Sequence, residues 1–416
     1  MKINVIDSIM GSGKTQWAIQ HMNEAGPMEK FIYITPFLDE VARIKEGVSN
    51  RNFLEPNNAN DEGRKLRSLK ELIVQGSDIA STHSLFKTAD SELIELLTDS
   101  GYTLILDEVM ACVEPVSVQR SDIRKLERAG DIEIVDGKVL WTGDPQDNSR
   151  YMDIRLIAQA GNLFSHDGRF LVWAFPPQVF EAMDNAYIMT YLFNAQEMKY
   201  YFELYDFKYD YFAVSSEEGR YELTKYDVRS ERREDIFALI DLYEGKMNDF
   251  AERRNALGAT YLRNKNKAGD LEYFKQIERN LLNYFQNITK AKKDDVYYST
   301  LKDVEKLIQP RGYKEPRKKK GVKDKTPQIV IPHNSRATNR YSDKWAVAYI
   351  FNKYMHADTK AFFQSKKISV YDDQLAVSEL LQWIWRSRIR NGEPIKLYLP
   401  SSRMRGLLKR WANYEI

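Results

Sequence analysis

Close to the start of the chain runs the sequence Ser8-Ile9-Met10-Gly11-Ser12-Gly13-Lys14-Thr15. It follows the β-branched run Ile3–Ile6 and leads into the amphipathic stretch Lys14–Asn23, so it joins a predicted strand to a predicted helix. Glycines let such a loop wrap closely around a phosphate, and the helix that follows offers unpaired N–H groups. The pattern predicts a phosphate-binding loop, although Ser8 stands where the strict eight-residue motif has its first glycine.

Each residue type in this loop has a role that phosphate binding requires. Gly11 and Gly13 allow the tight backbone wrap. Lys14 can reach the β- and γ-phosphates, and Thr15 can ligate Mg²⁺. ATP and Mg²⁺ are therefore the expected cofactors. The residues predicted to bind the nucleotide in this loop are Ser8, Gly11, Ser12, Gly13, Lys14 and Thr15.

A second motif, Leu104-Ile105-Leu106-Asp107-Glu108, is an apolar strand that ends in two carboxylates. Asp107 is expected to hold Mg²⁺, and Glu108 is expected to act as the base that orients the attacking water. An acidic pair at a strand end can also cap a loop or a helix. Beside a phosphate-binding loop, the pair favours hydrolysis over nucleotide storage.

The first part of the chain alternates short β-branched or aromatic runs with amphipathic stretches, which is typical of βα units around a parallel sheet. An insertion is expected after Leu106, with a helix at Arg120–Arg128 and a hairpin at Ile132–Trp141. The strands predicted for the main sheet are Ile3–Ile6, Phe31–Ile34, Asp78–Ser81, Thr103–Leu106, Phe170–Phe175 and Tyr187–Phe193.

The rest of the chain is less regular before it returns to an α/β pattern. A hairpin is predicted around Ser215–Gly219, and helical sequence follows from about Arg233 to Ile288. The later strands are predicted at Asp295–Thr300, Gln328–Pro332 and Ile395–Leu399, and helices near Asp343–Met355 and Asp373–Arg390.

Composition excludes several classes. The 62 basic and 60 acidic side chains leave a net charge of +2, so a nucleic-acid surface would have to be local. The single cysteine, Cys112, excludes an intramolecular disulfide and a cysteine-based zinc cluster. No apolar run approaches the roughly 20 residues that span a bilayer. A soluble cytoplasmic protein, in the host cytoplasm if viral, with no membrane partner, is expected.

With these motifs the chain resembles the superfamily 2 helicases, specifically viral and phage DEAD/DEAH-like members and the herpesvirus origin-binding protein group, whose loops carry a similar Met-Gly-Ser-Gly-Lys-Thr. The resemblance implies an α/β fold of two RecA-like P-loop NTPase domains with an inserted accessory region. We expect the first domain at 1–195 with an insertion at about 111–165, the accessory region at 196–290, and the second domain at 291–416.

The same resemblance implies an ATP-dependent helicase or translocase of phage DNA replication or recombination, with DNA or RNA as partner and replication proteins as further candidates. Four segments look like the family's nucleic-acid contacts, although Thr, Ser and Pro also favour ordinary turns. Thr190 resembles the residue that couples hydrolysis to nucleic-acid contact. The implied nucleic-acid contacts are Thr35, Pro36, Thr82, His83, Thr300, Lys302, Arg336, Thr338 and Asn339.

Near the C-terminus, Gln382–Arg390 resembles the family's Gln-x-x-Gly-Arg-x-x-Arg helix, which delivers arginine fingers to the nucleotide. Trp385 replaces the glycine, and Arg390 follows Arg386 by one helical turn rather than in the family spacing. The resemblance implies that Gln382 contacts the nucleotide and that both arginines stabilise the transferring phosphoryl group. A basic face on a surface helix is the alternative.

Three further readings stay open. The basic run at 314–325 suits phosphate contact or a solvated loop. A DNA-packaging motor would also need clustered carboxylates at strand ends for a metal-dependent nuclease, whereas the late strands end in Thr300, Pro332 and Leu399, and the pair Asp372 and Asp373 lies at the start of a predicted helix. A replication initiator that uses ATP as a switch without unwinding would have no need of a base such as Glu108.

Overall fold

A computed structural model describes residues 2–146, 149–313, 328–333 and 339–416, without the side chain of Asn339. The chain divides into two compact units. The first unit comprises Met1–Tyr226 and His356–Val370, and the second comprises Asp227–Met355 and Tyr371–Ile416. The chain therefore leaves the second unit and returns to the first for fifteen residues before it completes the second.

The first unit is built on a mainly parallel sheet whose central strands are largely buried, as expected when helices cover both faces. Its strands are β1 Lys2–Asp7, β2 Lys30–Thr35, β3 Phe53–Leu54, β4 Asp78–Thr82, β5 Tyr102–Asp107, β11 Asn185–Thr190, β12 Tyr209–Glu217 and β13 Arg220–Lys225. The spatial order is β13-β12-β1-β11-β5-β2-β4-β3, and within it only the β12–β13 pair is antiparallel.

A second, antiparallel sheet is inserted between β5 and β11. Its strands are β6 Val113–Pro115, β7 Ile132–Val135, β8 Lys138–Trp141, β9 Leu163–His166 and β10 Phe170–Ala174, in the spatial order β6-β10-β9-β8-β7. Phe170–Phe175 was predicted as a strand of the main sheet, and that prediction is wrong because β10 pairs antiparallel with β9 and β6. The main sheet resumes only at Asn185.

Helices cover both sheets of the first unit. The helices are α1 Lys14–Glu24, α2 Leu38–Gly47, α3 Lys65–Val74, α4 His83–Phe86, α5 Ser91–Thr98, α6 Arg120–Ala129, α7 Met152–Gln159, α8 Gln178–Glu181, α9 Glu197–Leu204 and, from the later segment, α13 Ala357–Ser365. The Phe362 ring of α13 lies 6.2 Å from that of Phe164, and the Phe363 ring lies 5.6 Å from that of Tyr200. These contacts tie the later segment to the first unit.

The second unit contains a parallel sheet of β14 Ile240–Leu242, β15 Val296–Ser299, β16 Ala346–Tyr349 and β17 Ile395–Tyr398, in the order β14-β17-β16-β15. Its α-helices are α10 Arg233–Ala238, α11 Ala259–Lys267, α12 Leu271–Asn283, α14 Asp372–Ile384 and α15 Ser402–Ala412. A π-helical turn, Tyr284–Ile288, extends α12. The short 3-10 helices of the two units are Phe193–Ala195, Val228–Glu231, Lys246–Ala251, Lys293–Asp295, Lys302–Leu307, Asn339–Tyr341 and Arg388–Asn391.

Two predicted elements of this unit differ from the structure. The helix predicted near Asp343–Met355 is instead built around β16, whose four residues are all fully buried. A short run buried on every side has no helical or strand periodicity that would separate the two states. The strand predicted at Gln328–Pro332 contributes one bridge, between Val330 and Tyr298, within the described residues.

The expected domain boundaries also differ from the division seen here. The hairpin of β12 and β13 turns at Glu218 and Gly219, both with positive φ, and it belongs to the first unit because β12 pairs with β1. Residues 227–290 belong to the second unit, where β14 pairs with β17. The single accessory region expected at 196–290 is therefore shared between the two units.

Candidate active site

The carboxyl ends of five neighbouring strands of the first unit meet at one edge of the sheet. The register pairs Asp7 of β1 with Thr190 of β11, and Met189 of β11 with Asp107 of β5. On the other side of β5, Thr35 of β2 pairs with Thr82 of β4. Loops at this edge of an open α/β sheet are where ligands bind. The glycine-rich loop and the acidic pair found in the sequence therefore lie at one site.

The phosphate-binding loop connects β1 to α1. Gly11 and Gly13 have φ of 83° and 93°, a left-handed conformation that glycine adopts without strain. The Lys14 ammonium donates to the carbonyl oxygens of Ser8 at 2.5 Å and Ile9 at 3.1 Å. The lysine therefore lies over the loop itself, where an incoming phosphate would meet it, and Thr15 follows in the first turn of α1.

The base of the loop is held by the strands beside it. The Ser8 N–H donates to the carbonyl of Thr190 at 3.1 Å, and the Ser8 hydroxyl accepts from the N–H of Val214 at 2.8 Å. The Asp7 carboxylate accepts from the N–H groups of Leu192 and Phe193, each at 2.8 Å. Ser8 was predicted as a nucleotide ligand, but its hydroxyl is hydrogen-bonded to the hairpin strand β12.

Asp107 lies at the end of β5, where the Tyr33 hydroxyl donates to its Oδ2 at 2.8 Å. His83 Nε2 is 3.1 Å from the Asp107 carbonyl oxygen, and because a carbonyl can only accept, Nε2 is the donor. Some of Asp107 reaches solvent, but protein surrounds its carboxylate. Desolvation, followed by the charge of Glu108, raises the pKa of Asp107 to about 7. A divalent cation would relieve both effects.

Glu108 has a backbone conformation that is uncommon for a residue with a side chain. Its φ is 61°, and its N–H donates to the Met189 carbonyl at 2.9 Å. Left-handed non-glycine residues persist only where their surroundings enforce them, and they concentrate at functional sites. The conformation supports the prediction that Glu108 has a role at this edge.

Three buried hydroxyls near this edge, those of Ser12, Thr35 and Thr190, have no hydrogen-bond partner among the described residues. Buried polar atoms are nearly always paired in a folded protein, so these groups suit a polar ligand. Together with the lysine, Thr15 and the two carboxylates, they form a donor set that fits a Mg²⁺-bound nucleotide. Thr15 and Asp107 would hold the cation, and the loop would hold the phosphates.

The predicted nucleic-acid residues of the first unit lie at the same edge. Thr35 is fully buried at the end of β2, and Pro36 follows it half-buried. Thr82 ends β4, and His83, which opens α4, is buried against Asp107. His83 therefore contacts the acidic motif rather than standing free for a ligand.

The nucleic-acid residues predicted for the second unit are only partly described. Thr300 directly follows β15, and its buried hydroxyl has no partner in the described part of the chain. Lys302 is exposed at the start of a 3-10 helix. Arg336 and Thr338 lie outside the described residues, as do the side chain of Asn339 and the basic run at 314–325.

The helix predicted to carry Gln382, Arg386 and Arg390 is interrupted. Helix α14 ends at Ile384, and Arg390 lies in the separate 3-10 helix Arg388–Asn391. Ser387 causes the break, because its hydroxyl donates to the Ile384 carbonyl at 2.7 Å and accepts from the Ile389 N–H at 3.4 Å.

The one-turn spacing of the two arginines is therefore wrong. Arg386 is only 2% exposed, whereas Arg390 and Gln382 are half-buried. Of the two arginines, Arg390 is thus the more accessible.

The acidic pair Asp372 and Asp373 makes structural contacts at the start of α14. Asp372 Oδ1 accepts from the Met355 N–H at 3.0 Å, and Asp373 Oδ1 accepts from Arg403 Nε at 2.8 Å. Both carboxylates therefore hold chain segments of the second unit together.

Across the described residues, none of the helices is both long enough and apolar enough to cross a bilayer.

Sequence reasoning missed two aromatic residues of this site. Tyr33 reads as an ordinary strand residue, and only the pairing of β2 with β5 brings it to Asp107. Tyr221, in β13, lies against Gly13 of the phosphate loop. Its only signal in the sequence was its place in an aromatic hairpin, which is equally typical of ordinary packing.

The fold is shared with two solved structures along nearly their whole length. An apo XPD structure matches with a TM-score of 0.53 and 14% identity, over 98% of this chain and 95% of that one. The structure of S. tokodaii Xpd4 matches with a TM-score of 0.52 and 13% identity, over 100% and 94%. The predicted fold class, α/β with two RecA-like domains, is confirmed.

The family follows from sequence. The chain is 36% identical over 421 residues to the SPbeta prophage-derived uncharacterized protein YonV of Bacillus subtilis (strain 168), covering 99% of this chain and 98% of that protein. The family model of the YonV C-terminal Rossmann-like domain matches residues 234–412. The chain belongs to the YonV family.

Proposed function

We propose that this protein is a nucleic-acid-dependent ATPase that moves along or unwinds DNA in a phage setting. The observation that carries the proposal is the meeting of the phosphate loop with Asp107 and Glu108 at one sheet edge. Neither motif alone implies turnover, but together they supply phosphate binding, a metal ligand and a base.

The residues of the first unit divide the work of hydrolysis. Bound Mg²⁺ would neutralise charge on the β- and γ-phosphates. Lys14 holds the phosphates, Asp107 and Thr15 hold the cation, and Glu108 orients a water molecule and accepts its proton. Tyr33 keeps the Asp107 carboxylate in place through its hydroxyl. In the second unit, the half-buried Arg390 is the proposed finger residue and Gln382 a proposed nucleotide contact, whereas Arg386 is buried.

The nucleic-acid part of the proposal rests on three supports. Thr35, Pro36, Thr82 and His83, which resemble the family's nucleic-acid contacts, lie at the same sheet edge as the phosphate loop. The fold is shared with structures of XPD and Xpd4, although a fold by itself does not determine a function. The YonV relative is described as prophage-derived, which supports the phage setting, and a role in phage DNA replication or recombination is part of the proposal. The likeness to the herpesvirus origin-binding group stays a prediction.

The test is the rate of ATP hydrolysis in the presence of single-stranded, duplex and forked DNA and RNA. We expect at least one of these to stimulate the rate, and we expect Lys14→Ala to remove both basal and stimulated turnover. Hydrolysis that no nucleic acid stimulates would contradict the helicase-like part of the proposal while leaving the ATPase part intact. Absence of ATP binding by the unmodified protein would contradict both.

A further inference from the structure

The hairpin of β12 and β13 borders the phosphate loop on the side away from Asp107. It is hydrogen-bonded to the end of β1 and to the first residue of the loop. The Tyr211 hydroxyl donates to Asp7 Oδ2 at 3.1 Å, and the Val214 N–H donates to Ser8 Oγ at 2.8 Å. It is therefore a fixed neighbour of the loop rather than a free arm.

The hairpin is also bonded to the helix after the loop. Gln20 of α1 donates from Nε2 to the Tyr221 carbonyl at 3.2 Å and accepts from the Tyr221 N–H at 3.0 Å. This two-way pair fixes the backbone of Tyr221 against the first turns of α1. Its side chain consequently has a defined position beside the loop.

That position is directly over Gly13. A Cβ built on Gly13 would lie 2.2 Å from Tyr221 Cε1, 2.6 Å from Cδ1 and 3.3 Å from Cζ, so the ring presents its Cδ1–Cε1 edge to the glycine. The ring also packs on the core around Trp17 and stays half-buried. Part of an aromatic surface is therefore left at the rim of the loop.

A bound nucleotide must pass this rim. The loop N–H groups hold the α- and β-phosphates, and Lys14 reaches the β- and γ-phosphates toward the acidic motif. The nucleoside would then lie on the side of the loop away from Asp107, where the hairpin lies. An aromatic ring is a suitable platform there, because every base has a π-face that stacks on it.

We propose that Tyr221 forms the base subsite of this site and that the ligand is a purine nucleoside triphosphate, whose larger ring system gains most from stacking. This inference rests on the proposed nucleotide binding and adds a contact for the base to the contacts that the loop would make with the phosphates. The hairpin, which sequence patterns assigned to an accessory region, becomes part of the nucleotide site.

The experiment separates base binding from phosphate binding. Calorimetric titrations with Mg²⁺ present compare ATP with inorganic tripolyphosphate, which has the phosphates and no base, on the full-length protein. The variants are Tyr221→Leu, which keeps apolar packing without the ring, and Tyr221→Trp, which keeps an aromatic face. Leu223→Ala is the matched control, because Leu223 is on the same strand and packs on the same core cluster.

We expect Tyr221→Leu to weaken ATP binding roughly ten-fold and to leave tripolyphosphate binding unchanged. Tyr221→Trp should retain the affinity for ATP, and Leu223→Ala should leave the affinity for both ligands unchanged. Equal losses for ATP and tripolyphosphate, or no loss for ATP, would overturn the base subsite while leaving the phosphate loop in place. If the unmodified protein binds neither ligand, the phosphate-loop assignment fails, and the base subsite fails with it.

Discussion

Glu108 and Asp107 are adjacent in sequence, but the structure gives them different surroundings. Asp107 is bonded to Tyr33 and has a raised pKa, whereas Glu108 stands in a left-handed backbone conformation just beyond the strand. Neighbouring carboxylates with unlike surroundings can take unlike roles. The difference supports metal binding by the first and proton transfer by the second.

Glu108→Gln tests the base directly. The amide keeps the size of the side chain but cannot accept the proton of the attacking water, so turnover should fall by at least about 100-fold while ATP still binds. Single-turnover hydrolysis and equilibrium ATP binding measure the two effects separately. Normal turnover in this variant would show that another group is the base.

Asp107→Asn tests the cost of burying the acidic motif. The folded protein raises the pKa of Asp107 to about 7, well above the unfolded value of about 3.9, so the folded state binds this proton more tightly. The free energy of unfolding should therefore decrease as pH rises from about 4 to about 7, and the asparagine variant should lack this decrease.

Denaturant unfolding at pH 5 and pH 8 with a chelator present measures this effect. The stability advantage of Asp107→Asn should be larger at pH 8. Parallel pH profiles for the two proteins would mean that Asp107 titrates alike in the folded and unfolded states.

At the scale of elements, the first unit was well predicted where burial and sequence pattern agree. β1, β2, β4 and β5 are short, largely buried runs, and each was placed to within one residue at either end. The phosphate loop could be recognised for the same reason, since its strand and helix are both local. The order of the strands in the sheet brings this loop and Asp107 to the same edge, and strand order cannot be predicted from a local sequence pattern.

Other elements were missed for related physical reasons. β16 is a four-residue run with every residue buried, so it has neither alternation nor a helical face. The break in the helix after α14 depends on the Ser387 hydroxyl, whose bonds to Ile384 and Ile389 compete with the helical pattern. Serine is common in helices, so the residue alone did not signal the break.

This break predicts different outcomes for the two arginines. Arg386 is 2% exposed, and Arg386→Ala should lower the free energy of unfolding by on the order of 2 kcal/mol. Arg390→Ala should leave stability nearly unchanged and lower ATP turnover by roughly 1,000-fold if it serves as the finger. Thermal unfolding and hydrolysis rates measured on both variants distinguish these roles. Unchanged turnover in Arg390→Ala would remove this segment from the catalytic assignment.

At the scale of the whole molecule, the stability of the first unit depends on residues that lie far along the chain. Phe363 is fully buried in α13 and packs on Tyr200 of the first unit. Phe363→Ala should cost about 3–5 kcal/mol, the usual cost of emptying a buried aromatic site. Hydrogen exchange should then accelerate in the first unit, in β9 and β10, and remain slow in β15 to β17.

The matched control is Phe274→Ala. Phe274 is equally buried, but it lies in α12 of the second unit. Its loss should accelerate exchange in the second unit only. If Phe363→Ala instead loosened the second unit, the assignment of α13 to the first unit would be contradicted.

The return of His356–Val370 to the first unit limits how this protein can be dissected. The YonV C-terminal model covers 234–412, and this span includes a segment that belongs to the other unit. A gene fragment that ends at Tyr226 would lack part of its own fold, and one that begins at Asp227 would carry fifteen residues with no place to pack. No single cut yields two complete halves. A family member that lost or exchanged one unit would also have to replace the segment His356–Val370. The two units are therefore expected to be inherited together.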